Sequence, residues 1–217
     1  KAEDVARVMG GERADLCFTS PPYGQQRDYD SGGVGDWDTL MHGVFGNLPM
    51  ADAGQVLVNL GLIHRDGEWV PYWDDWIEWM RKQGWRRFGW YVWDQGESSP
   101  GASQGRLPNE HEWIFHFNKS PVDPIKTVPC KHAKQEATAT GQHERDGSQK
   151  AFKATVGTHK PQGSVIAAPP AKGGVSGHPA PFSVAVAVSV ARSWPGATYD
   201  PFLGSGTTLI AAEQLNR

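Results

Sequence analysis

The chain has 217 residues, of which 38% are hydrophobic, 26 are glycine and 16 are proline, so it can bury a substantial core as one large domain or as one domain with an insertion. We expect no signal sequence and no membrane partner, because the longest apolar stretch, at 184–191, is far shorter than the roughly 20 residues that span a bilayer. The net charge of −3 argues against a uniformly basic surface, and two cysteines, Cys17 and Cys130, supply neither a disulfide framework nor a zinc pattern and favour a reducing cytoplasm.

Hydrophobic periodicity in residues 1–118 predicts alternating helices and strands. The predicted elements are a helix at 3–9, a strand at 14–19, a helix at 37–48, a strand at 55–60, a segment at 63–69 that crosses an Asp66-Gly67 turn, a helix with Trp73, Trp76, Ile77 and Met80 on one face, and strands at 85–93 and 113–117. Seven of the ten tryptophans fall between Trp69 and Trp93. Their spacing favours core packing over an aromatic surface that stacks single-stranded nucleic acid.

The segment Ser20-Pro21-Pro22-Tyr23 follows the predicted strand at 14–19. The two prolines lack N–H donors, so Ser20 and Pro21 keep carbonyl oxygens free to accept hydrogen bonds, and the Ser20 hydroxyl adds a further acceptor. Acceptors beside an aromatic ring suit a flat substrate with an exocyclic NH₂, such as a nucleobase. On its own, the segment is more typical of an edge strand that ends in a Pro-Pro turn.

Charge is divided unevenly along the chain. Residues 1–118 hold ten Lys and Arg against 18 Asp and Glu, whereas residues 119–172 hold nine against four. A basic segment rich in Gly, Thr, Gln and His suits phosphate contacts, although a solvated insertion without a partner has the same composition. The candidate DNA-binding residues are Lys126, Lys131, Lys134, Arg145, Lys150, Lys153 and Lys160.

In the remainder of the chain, the periodicity of the Ala/Val-rich element at 181–193 allows a helix or a strand, and its length and its position before another strand favour a helix. A strand at 197–202 and a helix at 205–215 follow. Between the last two lies a glycine turn, Gly204-Ser205-Gly206, whose exposed N–H groups suit an anion such as a carboxylate. The turn is not a Walker loop, which needs a lysine, and it is not a GxGxxG motif, because position 209 is Leu. Strands that alternate with helices predict an α/β domain with a mainly parallel sheet.

Four segments together resemble the motifs of one family, the amino-group DNA methyltransferases that modify cytosine N4 or adenine N6. They are Ser20-Pro21-Pro22-Tyr23, Asp200-Pro201-Phe202-Leu203-Gly204-Ser205-Gly206-Thr207-Thr208, His178-Pro179-Ala180-Pro181-Phe182 and, more weakly, Asn109-Glu110-His111-Glu112. Their order resembles the permuted beta group of this family. The resemblance implies a Rossmann-like, circularly permuted, S-adenosylmethionine-dependent methyltransferase fold with helices on both faces of a mainly parallel sheet.

The resemblance also implies three parts: a catalytic half at 1–119, a basic target-recognition insertion at 120–172 and a cofactor-binding half at 173–217. It assigns catalysis to Ser20, Pro21, Pro22 and Tyr23. It assigns the binding of S-adenosylmethionine to Asp200, Pro201, Phe202, Gly204, Ser205, Gly206, Thr207, Thr208, His178, Pro179 and Phe182. The expected partners are DNA and S-adenosylmethionine, no metal is expected, and the expected roles are DNA methylation and restriction-modification.

The implied reaction is methyl transfer to the exocyclic amine of a base that is flipped out of the duplex. Hydrogen bonds from that amine to Ser20 Oγ and the Pro21 carbonyl would free the nitrogen lone pair, while Tyr23 stacks on the base. In this family, serine at the first motif position is usual in cytosine N4 enzymes, whereas aspartate is commoner in adenine N6 enzymes. We therefore expect cytosine N4 as the target, with adenine N6 as the alternative.

Departures from the family pattern leave other functions open. The family begins with a strand ahead of Lys1 and continues after the helix at 205–215 into a strand with an acidic residue for the ribose, so we expect two missing strands and weak cofactor binding. A truncated, catalytically deficient member that still binds DNA is therefore an alternative. RNA or a protein glutamine amide is a further alternative substrate, although the basic insertion and Ser20 favour DNA.

Spacing argues against three other sites. Pro129-Cys130 lacks the glycine lead-in of the cytosine-C5 methyltransferase nucleophile. His111, Glu112 and His116 form HExxxH, which is one residue longer than the HExxH of zinc proteases. A zinc deaminase would need a cysteine three positions after Cys130, where Ala133 stands.

Overall fold

The computed structural model describes residues 4–23, 36–97, 105–141, 144–171 and 183–217. The helices are α1 (Val5–Val8), α2 (Trp37–Phe45), α3 (Asp74–Lys82), α4 (Val184–Ser193) and α5 (Thr207–Gln214). The strands are β1 (Ala14–Thr19), β2 (Met50–Leu60), β3 (Ile63–Arg65), β4 (Glu68–Val70), β5 (Arg86–Asp94), β6 (His111–Asn118), β7 (Val128–Pro129), β8 (Glu136–Thr140), β9 (Ala151–Thr155), β10 (His159–Lys160), β11 (Val165–Ala167) and β12 (Thr198–Tyr199). Across these ranges, no helix combines the length and the apolar character that crossing a membrane requires.

A six-stranded sheet in the order β11-β5-β6-β2-β1-β12 forms the centre of the molecule. β12, β1 and β2 are parallel neighbours, as are β5 and β11, while β6 is antiparallel to both of its neighbours. The buried run from Gln55 to Leu60 explains why β2 occupies an interior position, since strands covered on both faces have near-continuous apolar sequences. The predicted mainly parallel α/β sheet is therefore confirmed.

Helices cover both faces of this sheet and divide the core into two clusters. The first cluster packs α2 and α3 against the sheet and includes Cys17, Trp37, Met41, Phe45, Val56, Val58, Trp73, Trp76, Met80, Phe115 and Phe117. The second packs α4 and α5 against the other face and includes Leu16, Phe18, Leu57, Trp93, Ile114, Ile166, Val186, Val190, Trp194 and Ala211. This three-layer arrangement is the Rossmann-like architecture that the motifs implied.

Local sequence explains where the helices of the first layer begin and end. The Asp36 carboxylate caps α2 by accepting a hydrogen bond of 3.3 Å from the backbone N–H of Asp38, and it accepts another of 2.5 Å from the Thr39 hydroxyl. α3 carries acidic residues in its first turn and Arg81 and Lys82 in its last turn, which complements the helix dipole. Both helices were predicted; α2 begins at the predicted residue, Trp37, and ends at Phe45, ahead of the predicted end at 48.

The tryptophan-rich region is mostly core, as predicted. Trp73, Trp76 and Trp85 are at most 7% exposed, and Trp76 makes edge contacts with Trp37, Phe45 and Phe117. Two tryptophans differ, because Trp69 is 60% exposed and Trp90 is 61% exposed. Trp69 lies on the small β3–β4 hairpin, which is not part of the central sheet.

The strand predicted at 197–202 is shorter than expected, and β12 spans only Thr198–Tyr199. The chain turns after it because the Phe202 N–H donates to the Asp200 carboxylate at 3.0 Å instead of to a neighbouring strand. The strand predicted from Gln55 is longer than expected and begins at Met50, with a register irregularity where it pairs with β1.

The basic segment folds mainly as two antiparallel ribbons, β7 with β10 and β8 with β9. Its last strand, β11, pairs in parallel with β5 and contributes Ile166 to the second core cluster. The division of the chain at 1–119, 120–172 and 173–217 stays a prediction.

Candidate active site

The strands bring the candidate catalytic and cofactor residues to one edge of the sheet. β1, β2 and β12 are parallel, so the residues that follow them, Ser20, Gly61 and Asp200, lie at the edge where α/β proteins bind ligands. β6 runs in the opposite direction, so its second residue, Glu112, lies at the same edge. The sheet thus assembles the two sequence motifs with a carboxylate from a third segment.

The Tyr23 hydroxyl is the centre of a hydrogen-bond network at this edge. It donates to Glu112 Oε2 at 2.6 Å and receives a hydrogen bond of 2.8 Å from Asn59 Nδ2. The Asn59 amide also donates to Glu112 Oε2 at 2.5 Å. Ser20 Oγ lies 3.2 Å from the same hydroxyl. Side chains that follow β1 or lie on β2 and β6 therefore meet at one phenol oxygen.

The chemistry of Tyr23 follows from its surroundings. Burial raises the pKa of the phenol well above its usual value, and the Glu112 carboxylate raises this pKa further. The phenol therefore remains protonated at neutral pH and is a hydrogen-bond donor to Glu112. The ring itself is half-buried and packs against the first core cluster.

Close packing fixes the ring of Tyr23 against the backbone of Gly61. A Cβ atom on Gly61 would lie 2.6 Å from Tyr23 Cε2, which is shorter than any normal contact. The Tyr72 hydroxyl donates to the Gly61 carbonyl at 2.8 Å, and the Trp37 indole donates to the Pro22 carbonyl at 2.7 Å. The site is thereby anchored to the aromatic core.

The Pro21 carbonyl differs from that of Pro22. Among the residues that the structure describes, none donates a hydrogen bond to the Pro21 oxygen, whereas Pro22 is bonded to Trp37. The Pro21 carbonyl and the half-buried Ser20 hydroxyl are therefore the acceptors of this motif that remain for a ligand.

A hydrogen bond joins the candidate catalytic motif to the candidate cofactor motif. The Thr19 hydroxyl donates to Asp200 Oδ1, across 181 residues of sequence. The other carboxylate oxygen, Asp200 Oδ2, is buried and has no hydrogen-bond partner within the described part of the chain. Burial raises the pKa of this carboxyl, although the hydrogen bond from Thr19 opposes the rise.

The glycine turn that follows Asp200 has the backbone shape that a close ligand needs. Gly204 and Gly206 have φ angles of +52° and +84°, and Gly206 caps the N-terminus of α5. Among the residues that the structure describes, a Cβ on Gly206 would meet no atom within 4 Å, so none of them fills that side of the turn. Thr207 and Thr208, by contrast, are buried at the start of α5.

These two features fit the methionine part of S-adenosylmethionine. An unpartnered, buried carboxylate oxygen on Asp200 suits its ammonium group, and the open helix N-terminus beyond Gly206 suits its carboxylate. Pro201 and Phe202 follow Asp200 directly, Ser205 precedes Gly206, and all three are half-buried. The predicted residues His178, Pro179 and Phe182 lie outside the described residues.

The predicted DNA-binding residues lie on the two ribbons of the basic segment. Arg145, Lys150 and Lys153 belong to the β8–β9 ribbon and its turn. Lys126, Lys131, Lys134 and Lys160 lie in or beside the β7–β10 ribbon. All seven are exposed, and none of them takes part in the Tyr23 network.

Two residues of this site, Glu112 and Asn59, were not predicted as site residues from the sequence. Glu112 lies within the weakest of the four matching segments, and it joins the site only because β6 pairs with β2. Asn59 is fully buried in the apolar run Val56-Leu57-Val58-Asn59-Leu60. A polar residue within such a run was the available signal, since buried amides need hydrogen-bond partners.

The two histidines of the HExxxH segment do not converge in the structure. His111 and His116 lie five residues apart on β6 and therefore point to opposite faces of the strand. Within the described ranges, no group of His, Cys, Asp and Glu could hold a metal ion. Both cysteines are free, and the backbone N–H of Cys130 donates to Thr158 at the β7–β10 ribbon.

The mixed sheet, the helices on both faces and the paired motifs at one edge define the protein as a Rossmann-like methyltransferase. The family model described as DNA methylase, for N6 and N4 methyltransferases, matches residues 14–217. The chain belongs to this family, and it is an S-adenosylmethionine-dependent DNA amino-methyltransferase. The comparison with curated proteins gave no match.

Solved structures share the fold at low sequence identity. The M1.HpyAVI complex with S-adenosylmethionine aligns with a TM-score of 0.62 and 16% identity over 100% of this chain and 86% of that chain. The cytosine-N4-specific PvuII DNA methyltransferase aligns with a TM-score of 0.64 and 16% identity over 94% and 72% of the respective chains. A Thermus thermophilus protein described as a DNA modification methylase, complexed with S-adenosyl-L-methionine, aligns with a TM-score of 0.54 and 20% identity over 97% and 82%.

Proposed function

We propose that the protein transfers a methyl group from S-adenosylmethionine to the N4 amine of a cytosine that is flipped out of duplex DNA. The observation that carries this proposal is the Thr19–Asp200 hydrogen bond. It holds the hydrogen-bond acceptors that follow Thr19, which suit an amine, beside the glycine turn that follows Asp200, which suits the methyl donor. The neutral hydroxyl of Ser20 favours cytosine N4 over adenine N6. The cytosine-N4-specific PvuII enzyme has the same fold.

Activation of the amine is the task of Ser20 and Pro21. The lone pair of an exocyclic amine is delocalised into the ring, which makes the nitrogen a poor nucleophile. When Ser20 Oγ and the Pro21 carbonyl accept its two N–H bonds, the nitrogen becomes more tetrahedral and its lone pair becomes available. Tyr23 offers the face of its ring to the flipped base, and its position is fixed by Gly61 and Glu112.

The donor side of the reaction depends on Asp200 and the glycine turn. When bound, S-adenosylmethionine supplies an electrophilic methyl group on a sulfonium. Asp200 Oδ2 would accept a hydrogen bond from the ammonium, and the N–H groups after Gly206 would receive the carboxylate. The chain provides orientation, so the reaction needs no covalent enzyme intermediate.

The basic segment supplies the contacts to DNA. All seven predicted Lys and Arg side chains are exposed, and ribbons with several exposed cations bind phosphates without sequence preference. In this proposal the two ribbons hold the duplex while the Tyr23 edge of the sheet receives the flipped base. Residues that read the target sequence are not part of this assignment.

The test is nucleoside mass spectrometry of mixed-sequence DNA after incubation with the protein and S-adenosylmethionine, with RNA and protein substrates in competition. We expect N4-methylcytosine, and we expect Tyr23→Ala to reduce it by at least about 100-fold because the base loses its platform. If N6-methyladenine were the only methylated product, the target base would be adenine and not cytosine. The absence of any methylated product, with DNA binding retained, would identify a catalytically deficient member.

A further inference from the structure

The direction of each hydrogen bond around Tyr23 can be assigned from its partners. A carboxylate accepts and an amide NH₂ donates, so Tyr23 gives its only proton to Glu112, at 2.6 Å, and accepts from Asn59, at 2.8 Å. Ser20 Oγ, at 3.2 Å from the phenol oxygen, must then be the donor in its contact with Tyr23. The Ser20 proton is therefore directed toward Tyr23.

This direction matters because a serine hydroxyl is ambivalent. It rotates freely and can either donate or accept a hydrogen bond, whereas a substrate NH₂ requires an acceptor. With its proton held by Tyr23, the Ser20 oxygen presents lone pairs to the ligand side. Each bond in a chain that ends on a carboxylate also strengthens the next, which makes the Ser20 oxygen a better acceptor.

We propose that Glu112 is a positioning residue that makes Ser20 an acceptor for the substrate amine by acting through the Tyr23 phenol. The proposal rests on the proposed function, because it names a further residue for that same reaction. Glu112 lies 89 residues from Tyr23 in sequence and does not itself reach the amine in this account. Its effect on catalysis must therefore pass through Ser20.

The substitution Glu112→Gln removes the negative charge at position 112 and keeps the shape of the side chain. A glutamine oxygen can still accept hydrogen bonds from Tyr23 and Asn59, so the network keeps its geometry while the negative charge is lost. The matched control is Glu12→Gln, which removes an equal charge from an exposed residue ahead of β1, at the opposite end of that strand from Ser20. Thermal unfolding of each variant establishes that it folds.

The experiment is a double-mutant cycle on single-turnover methyl transfer to DNA with the full chain. We expect Glu112→Gln to slow transfer about tenfold, with unchanged KM for DNA, and Ser20→Ala to slow it about 100-fold. In the Ser20→Ala background, Glu112→Gln should have no further effect, because the hydroxyl through which it acts is absent. Glu12→Gln should transfer methyl at the wild-type rate.

The possible outcomes are distinct. A tenfold loss from Glu112→Gln in both backgrounds would overturn the proposal, because it would indicate a general structural role. A wild-type rate for Glu112→Gln would also overturn it. If the wild-type protein transfers no methyl group to DNA while it remains folded, the proposed function fails and this inference fails with it.

Discussion

Tyr23 depends on a glycine that the motif itself does not contain. Gly61 directly follows β2, and the ring of Tyr23 occupies the space that a side chain at position 61 would fill. The half-buried ring can therefore occupy this position only because Gly61 has no Cβ atom. Ser20-Pro21-Pro22-Tyr23 could be recognised from sequence, but this support could not, because it depends on the pairing of β1 with β2.

Gly61→Ala tests that dependence. The added methyl would lie 2.6 Å from Tyr23 Cε2, so we expect the ring to move, its hydrogen bond to Glu112 to lengthen, and the methyl-transfer rate to fall by about tenfold or more. The measurement is kcat for DNA methylation together with thermal unfolding.

Gly43→Ala is the matched control for this substitution. Gly43 lies inside α2, and a Cβ there would meet no atom of the described residues within 4 Å, so we expect unchanged kcat and a gain of up to about 1 kcal/mol in stability. If Gly61→Ala retains full kcat, close packing does not hold Tyr23 in place.

The central strands carry a second polar cluster, which has a structural role. On β6, His116 is 1% exposed and lies between the Tyr91 hydroxyl, at 2.8 Å from Nδ1, and Gln55 Oε1, at 2.9 Å from Nε2. Gln55 Oε1 also accepts a hydrogen bond from Asn118. A neutral imidazole that donates from Nε2 and accepts at Nδ1 satisfies every partner.

Burial lowers the pKa of His116 from 6.5 to about 4, which predicts a pH-dependent stability. Below pH 6.5 His116 binds a proton in the unfolded chain but stays neutral in the folded chain. The free energy of unfolding therefore falls as the pH falls toward 4. The expected loss between pH 7 and pH 5 is about 2 kcal/mol. Urea unfolding at both pH values measures it.

His116→Gln provides the comparison, because glutamine does not titrate. This variant is expected to be less stable at pH 7 but to lose about 2 kcal/mol less than the wild-type protein between pH 7 and pH 5. Equal losses in the two proteins would mean that His116 is not held neutral by the fold.

The helices and strands that could be predicted from the sequence are those with a strong apolar pattern. β1, α3, β5, β6 and α4 have regular apolar spacing and were predicted. The β8–β9 ribbon was not, because its residues Glu136–Thr140 and Ala151–Thr155 are mostly polar or small and give no alternation. Glu112 and Asn59 were missed for a different reason, since their role arises only when β2 pairs with β6.

In the molecule as a whole, the sheet joins the two ends of the sequence. β1 and β12 pair in parallel, with Leu16 opposite Thr198 and Cys17 opposite Tyr199. The candidate catalytic and cofactor motifs are therefore adjacent even though the basic segment separates them along the chain. This adjacency explains how a permuted order of motifs forms the same type of site.

The exposed cations of the β8–β9 ribbon can be tested for a role in DNA binding. Replacing Arg145, Lys150 and Lys153 together by glutamine should weaken DNA binding uniformly across sequences. The slope of log K against log salt concentration should become shallower by up to about 3, because three phosphate contacts are lost. Fluorescence anisotropy over a salt series measures this slope.

The control triple replaces Arg13, Arg65 and Lys82, which are also exposed and lie outside the basic segment. We expect this variant to keep the wild-type slope. If both triples change the slope equally, the charge effect is global and the ribbon has no specific role in binding DNA.

The most direct measurement of the central claim is the identity of the methylated base. DNA incubated with the protein and S-adenosylmethionine labelled with a CD₃ group is digested to nucleosides and analysed by mass spectrometry. We expect labelled N4-methylcytosine from the wild-type protein and at least about 100-fold less from Tyr23→Ala. Labelled N6-methyladenine without N4-methylcytosine, or no labelled nucleoside at all, would contradict it.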